Sequence, residues 1–248
     1  MEKIFVISPV YNAQNYIEEH IKSVHTQVVP KGYEVYHIVV DDGSSDETTN
    51  KLKDCMDKLD YNLYVISNNI NRGALYSHLD GLNKAKELGA SKNSIIVQLD
   101  GDDKFCSNKS LIEIARAYVD PTCYATYGNY KTKSGAPSVC RANFTGFRES
   151  IVNGGWCFSH PRTFLFKLFF YVNSSSFIDE ESKFYTSAPD VALFLPILEL
   201  AGVNRVRFIN KVLVEYNDQN PLNEDKAKLQ DQIRCALSIY RKEPYSEL

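Results

Sequence analysis

Four apolar runs alternate with three amphipathic stretches over the first hundred residues, and this alternation restricts the chain to few folds. KIFVISPV (Lys3–Val10) is a β-rich run stopped by Pro9; YEVYHIVVDD, YNLYVIS and SIIVQL follow, each separated by enough residues for a helix. Between them, Tyr16, Ile17, Ile21 and Val24 share one helical face and Leu52, Met56 and Leu59 another. ALYSHLDGLNKAKELG makes a third helix, closed by Gly89. Strands that are apolar almost throughout, with helices between them, indicate an α/β fold whose parallel sheet is covered on both faces.

Beyond Asp120 the pattern loosens. CYATYGNYK reads as a strand, SHPRTFLFKLFF as a helix or mixed segment, PDVALFLPILELAG as a helix and VRFINKVLVEYN as a strand pair. NEDKAKLQDQIRCALSIYRKE reads as a last helix with Leu229, Ile233, Ala236, Leu237 and Tyr240 in one apolar stripe. No linker, repeat or low-complexity tract interrupts the chain, so one compact domain over residues 1–248 is expected.

Charge narrows the function. Lys and Arg total 28 against 31 for Asp and Glu, with no basic run, which argues against a nucleic-acid partner. The six cysteines form no CxxC pair, so reduced thiols in a cytoplasmic protein are expected. The N-terminus lacks the basic start and long apolar core of a signal peptide. FLFKLFFYV (Phe164–Val172) is far short of the roughly 20 residues of a spanning helix and is interrupted by Lys167. It reads as core, with peripheral contact at a membrane surface left open.

In open parallel sheets ligands bind beyond the carboxyl ends of the strands. Three polar clusters fall there: Tyr11–Asn12, Asp41–Asp42 and Asp100–Asp103. The last, in IIVQLDGDDKF, gathers three carboxylates at the end of a buried-looking run, which is costly unless water or a cation meets them. Neither GxGxxG nor GxxxxGK[ST] is present, and Lys104 and Phe105 spoil a calcium loop. A hard metal held by one or two carboxylates plus a ligand's phosphates remains.

SPVYN, VVDDGSSDET, NINRGALYSHLDGLNKAK and IIVQLDGDD, in this order and spacing, resemble the inverting nucleotide-sugar glycosyltransferases of family 2, which have the GT-A fold. The match covers residues 1–105 well and the rest loosely. The resemblance implies a nucleotide-sugar-binding half, 1–105, with a Rossmann-like arrangement, and an acceptor-binding half, 106–248. It implies that Pro9 and Tyr11 lie against base and ribose, and that Asp41 and Asp42 accept hydrogen bonds from the base. Arg72 is implied to contact base or phosphate, and Asp100 and Asp102 to form a DXD motif holding Mn²⁺ or Mg²⁺. Asp190 best matches the family's general base, although Pro189 precedes it where the family often has Glu; Asp179, Glu180 and Glu181 are held in reserve. Trp156 and His160 fall where the family builds its acceptor wall. Asn217, Asp218 and Asn220 stand where some members carry a metal-completing histidine. The implied reaction moves a sugar from a nucleotide-diphosphate donor, a UDP-sugar being the expected one, to a glycan, lipid-linked or protein hydroxyl. A catalytically silent nucleotide-sugar or glycan-binding module is the alternative.

Overall fold

The structure is a computed structural model that describes residues 1–136, 138–142, 144 and 146–248. The elements run β1 (Glu2–Val10), α1 (Ile17–His25), β2 (Tyr33–Asp41), α2 (Thr48–Lys58), β3 (Leu63–Ser67), α3 (Ala74–Glu87) and β4 (Ile95–Gln98). There follow β5 (Lys104–Phe105), α4 (Ser110–Ala117), β6 (Ala125–Thr132), α5 (Phe147–Gly154), β7 (Arg162–Leu165), α6 (Pro189–Ala201), β8 (Val206–Tyr216), α7 (Glu224–Ala227) and α8 (Leu229–Arg241). All eight strands join one sheet in the order β3-β2-β1-β4-β7-β6-β8-β5. Strands β3, β2, β1 and β4 are parallel, as the alternation in the sequence requires. In β1, Ile4, Phe5, Val6 and Ile7 are buried on both faces, each contributing roughly 1.5–3 kcal/mol.

Direction reverses at β7, which runs antiparallel to β4 and sets Arg162 opposite Gln98. The expected helical or mixed segment here is a short strand followed by a 3₁₀ turn over Phe166–Tyr171. Thr163 and Phe164 pair across to Val97 and Ile96, so the sheet claims them. The aromatic run is split as a result: Phe164, Phe166 and Leu168 are core, whereas Phe170 and Tyr171 are exposed. The expected strand pair at 206–216 is one strand whose register against β6 slips around Asn129, absorbing the polar Asn210 and Lys211 as an irregularity rather than a turn.

Helix α6 is apolar almost all round and is buried from Val191 to Ala201. It starts with Pro189 in its first turn and stops at Gly202, which takes φ 76°. The last helical stretch is two helices, α7 and α8, broken at Lys228. Its expected stripe does not face inward as a unit: Leu229, Ile233 and Leu237 are about half exposed, while Cys235, Ser238 and Ile239 are buried. In α2, similarly, Met56 points outward and, of the expected apolar stripe, only Leu52 is fully buried. Among the described residues no helix is long and apolar enough to cross a membrane.

Candidate active site

The turn after β1 contains no glycine, and Asn12 takes the left-handed conformation (φ 48°) instead. It is clasped from the next loop: Asn12 N–H donates to Ser44 Oγ (2.9 Å), Ser45 N–H to Asn12 Oδ1 (2.8 Å) and Ala13 N–H to Thr48 Oγ1 (2.8 Å). This leaves Pro9 and Tyr11 on the wall of an open cavity of about 560 Å³, within the range of small-molecule sites.

The end of β2 is built differently. Asp41 accepts from Ser44 N–H (3.1 Å) and Thr49 Oγ1 (2.5 Å), and Asp42 from Asn68 Nδ2 (3.1 Å), Arg72 N–H (3.0 Å) and Gly73 N–H (2.7 Å). These carboxylates brace two loops. Gly43 between them takes φ 72°, and a Cβ there would meet the Ile70 carbonyl carbon at 2.7 Å, so the turn excludes every larger residue. Asp42 also touches the cavity, whereas Asp41 does not. The Arg72 guanidinium turns toward α3, bonding Asp80 (2.6 Å) and Asn68 (3.1 Å) over the Tyr76 ring, and does not line the cavity.

At the end of β4 the chain turns sharply beneath β1. Gly101 N–H donates to Pro9 O (3.0 Å), and a Cβ at 101 would lie 2.9 Å from that oxygen and 2.5 Å from Val10 Cγ2. The glycine between the two acids is therefore demanded by the crossing. Asp102 accepts from Asn220 Nδ2 (2.6 Å), and Asp103 Oδ1 from Asn217 N–H (2.8 Å). Burial pushes the Asp102 carboxyl up to about 6, with the Asn220 hydrogen bond opposing and the Asp100 charge reinforcing the shift. Burial, then the charges of Asp102 and Asp100, push Asp103 well above the usual carboxylate range. Burial works the same way on Asp100, but His78 at 3.7 Å and the Arg162 charge outweigh it and hold Asp100 well below that range.

The second half of the chain brings the remaining groups. His160, just before β7, is buried and stacks on Tyr216 (centroids 5.1 Å). Burial and the neighbouring Arg162 charge drive its imidazole down to about 3, so it is neutral. Its Nδ1 lies 3.6 Å from Asp103 Oδ2, and neither atom has a hydrogen-bond partner. Arg162 is buried with Nη2 3.4 Å from Asp100 and Nη1 3.5 Å from Asp190. Asp190 sits in the first turn of α6, makes no capping hydrogen bond and lines the cavity. Glu224 caps that helix instead, accepting from Ser187 Oγ (2.6 Å) and Ala188 N–H (2.8 Å) and holding Ala188 at φ 56°.

Asp100, Asp103 and His160 form a group that could hold a metal ion, with one ligand atom from each lying within 4.8 Å of the others. Two unpartnered buried atoms, a carboxylate oxygen and a neutral imidazole nitrogen, suit a divalent cation of the Mn²⁺ type. The motif reading named Asp100 and Asp102; Asp102 lines the cavity beside its Asn220 partner. Trp156 packs edge-on against Phe158 away from the cavity. Asp179, Glu180 and Glu181 are engaged with Lys183, Ser238 and Arg234 and likewise lie off its lining. Sequence reading placed Asp103 in the acid cluster without giving it a ligand role, and did not single out Arg162 or Glu224. Asp103 was one residue past a motif, and the other two matter only through contacts with residues far along the chain.

A family model described as Glycosyl transferase family 2 matches residues 5–182. The putative teichuronic acid biosynthesis glycosyltransferase TuaG of Bacillus subtilis is 36% identical over 106 residues, 43% of this chain and 38% of that protein. The chain matches less than half the length of the curated relatives it resembles. Among solved structures, Staphylococcus aureus TarS 1–349 in complex with UDP superposes with a TM-score of 0.67 at 20% identity, covering 99% of this chain and 67% of that one. Glucosyl-3-phosphoglycerate synthase from Mycobacterium tuberculosis, in complex with Mn²⁺, UDP and glucosyl-3-phosphoglycerate, gives 0.63 at 14% identity, covering 100% and 88%. At such identities the likeness is one of fold, and the fold is GT-A.

Proposed function

The chain belongs to glycosyl transferase family 2, and from that premise we propose that it transfers a sugar from a UDP-type donor to a hydroxyl acceptor with inversion, assisted by a divalent metal. Residues 1–105 hold the donor and 106–248 the acceptor within one domain. The observation that carries the reading is the cavity with Asp100, Asp102 and Asp190 on its lining, an acid turn suited to a metal and a carboxylate free of capping duty. The UDP complexes of TarS and of the phosphoglycerate synthase support a uridine donor, and the Mn²⁺ of the latter supports the metal.

Asp100, Asp103 and His160 would hold the metal, with Asp102 beside them on the cavity lining. When bound, a divalent cation neutralises a diphosphate and favours its departure. Pro9 and Tyr11 supply a flat wall for the nucleoside, and Asp42 fixes the loop from Asn68 to Gly73 that closes its edge. Asp190 takes the acceptor hydroxyl's proton as that oxygen attacks the anomeric carbon, a service typically worth about 10²–10⁴-fold.

Asp190→Asn tests the reading. With UDP-sugars and Mn²⁺, transfer should fall at least about a hundredfold, while UDP affinity stays within a few-fold and melting temperature holds. The helix cap is unaffected because Glu224 supplies it. Retained transfer would remove Asp190 from the base role. A parent protein that binds UDP yet turns over no donor in a nucleotide-sugar panel would favour the silent binding module.

A further inference from the structure

We propose that Arg162 is a positioning residue that aligns the general base with the metal-binding turn, competing with the metal for Asp100 while it directs Asp190. The proposal rests on the reading of Asp190 given above. Arg162 opens β7, and its antiparallel pairing with Gln98 fixes its backbone at the carboxyl end of β4. Its side chain is only 4% exposed, and its two terminal nitrogens reach acids from different elements, Asp100 after β4 and Asp190 on α6. A guanidinium is planar and rigid, and in this structure it bridges the two acids, one at each prong.

The contacts are loose. At 3.4 and 3.5 Å both exceed the 2.7–2.9 Å of a tight charge-assisted hydrogen bond. Arg162 Nε, and both polar atoms of the neighbouring Gln98 side chain, have no hydrogen-bond partner. A buried cation divided between two acids, with polar capacity to spare, is poised to shift toward one acid when the other is taken. A metal on Asp100 leaves the guanidinium to Asp190. Among the described residues, no other side chain makes an ion pair with Asp190.

This role predicts effects of opposite sign. Arg162→Gln removes a cation that competes for Asp100, so Mn²⁺ should bind more tightly, by about tenfold. The same change leaves Asp190 undirected, so kcat should fall by about 10–100-fold with little change in donor KM. Arg162→Lys keeps the charge but loses the fork; kcat should stay down by roughly tenfold while Mn²⁺ affinity stays near that of the parent. In an Asp190→Asn background, Arg162→Gln should lower kcat no further.

Mn²⁺ titration by isothermal calorimetry, with melting temperature as a check on folding, reads the metal arm without turnover. A buried arginine with a structural role alone would lower Mn²⁺ affinity, kcat and melting temperature together, and that result overturns the proposal. So does a fall in UDP affinity matching the fall in kcat, which would make Arg162 a diphosphate contact. If Asp190→Asn keeps its activity, the base reading fails by itself, while the Mn²⁺ arm still judges the competition at Asp100.

Discussion

Asp41 and Asp42 close β2 in the first half of the molecule; Asp100, Asp102 and Asp103 close β4 where the two halves meet. Both groups are acids at the carboxyl ends of parallel strands that flank β1, and in sequence they look alike. At β2 five hydrogen bonds from nearby loops satisfy the two carboxylates. At β4, Asp103 keeps an unpartnered oxygen, and the groups facing the acids come from far along the chain: His160, Arg162 and Asn220. Acids consumed by their own backbone act as braces. Acids with lone pairs to spare, ringed by remote polar groups, make a site for chemistry.

The largest effect that would break this contrast is at Asp42. Asp42→Ala leaves Asn68 Nδ2, Arg72 N–H and Gly73 N–H without their acceptor, at a cost of roughly 3 kcal/mol. Thermal melting should drop by roughly 6–12 °C. Loss of UDP protection with an unchanged melting temperature would instead make Asp42 a ligand contact and put the two ends in one class.

The same contrast explains what the sequence could reveal. Local order was legible. The apolar runs, the turn residues and the strand-end placement of Tyr11, Asp42 and Asp100 follow from short-range pattern, and the cavity contains all three. Asp190 was legible because a proline-led apolar helix announces its own first turn. Arg162 and Glu224 were not, since each acts through contacts far away in sequence: Arg162 with Asp100 and Asp190, Glu224 with Ser187 and Ala188. Arg72 shows the converse case. It sits at the motif's position, but Asp80, two turns along α3, draws its guanidinium off the cavity.

A smaller effect concerns a polar chain beneath β1 in the first half. Tyr61 O–H donates to His37 Nδ1, His37 Nε2–H to Ser8 Oγ, Ser8 O–H to His20 Nε2, and His20 Nδ1–H to the Asp103 carbonyl. This is the arrangement that satisfies every member with both rings neutral, and it fixes both tautomers because a carbonyl can only accept. Burial drives His20 down to about 4 and His37 well below its ordinary value. Below the ordinary value near 6.5 the unfolded chain binds more protons than the folded one, so stability falls as pH drops toward 4. From pH 7 to 5, His20 alone should cost on the order of 2 kcal/mol. Asp103, pushed upward, titrates in the opposite sense. Comparing urea unfolding of the parent and His20→Gln at both pH values isolates the histidine: the variant should lose less on acidification. An equal loss would show that His20 is already charged in the folded protein.

The smallest effect is expected on the outer face of α8, where two faces of one helix repeat the contrast between apparent and actual burial. Its sequence stripe follows Leu229, Ile233, Ala236, Leu237 and Tyr240; Ala236 and Tyr240 pack against the core, yet Leu229, Ile233 and Leu237 stay half exposed while Cys235, Ser238 and Ile239 are buried. Polar ties to other segments accompany this rotation: Ser238 meets Tyr185 and Glu180, and Arg234 pairs with Asp179. With the helix so turned, Leu229, Ile233 and Leu237 meet solvent. Ile233→Ser should therefore change stability by less than about 0.5 kcal/mol, whereas Ile239→Ala should cost about 2–5 kcal/mol. Chemical denaturation of the two variants reads the difference directly. If Ile233→Ser proves as costly as Ile239→Ala, the outer stripe is covered in solution, and the sequence pattern was reporting a contact made outside the chain.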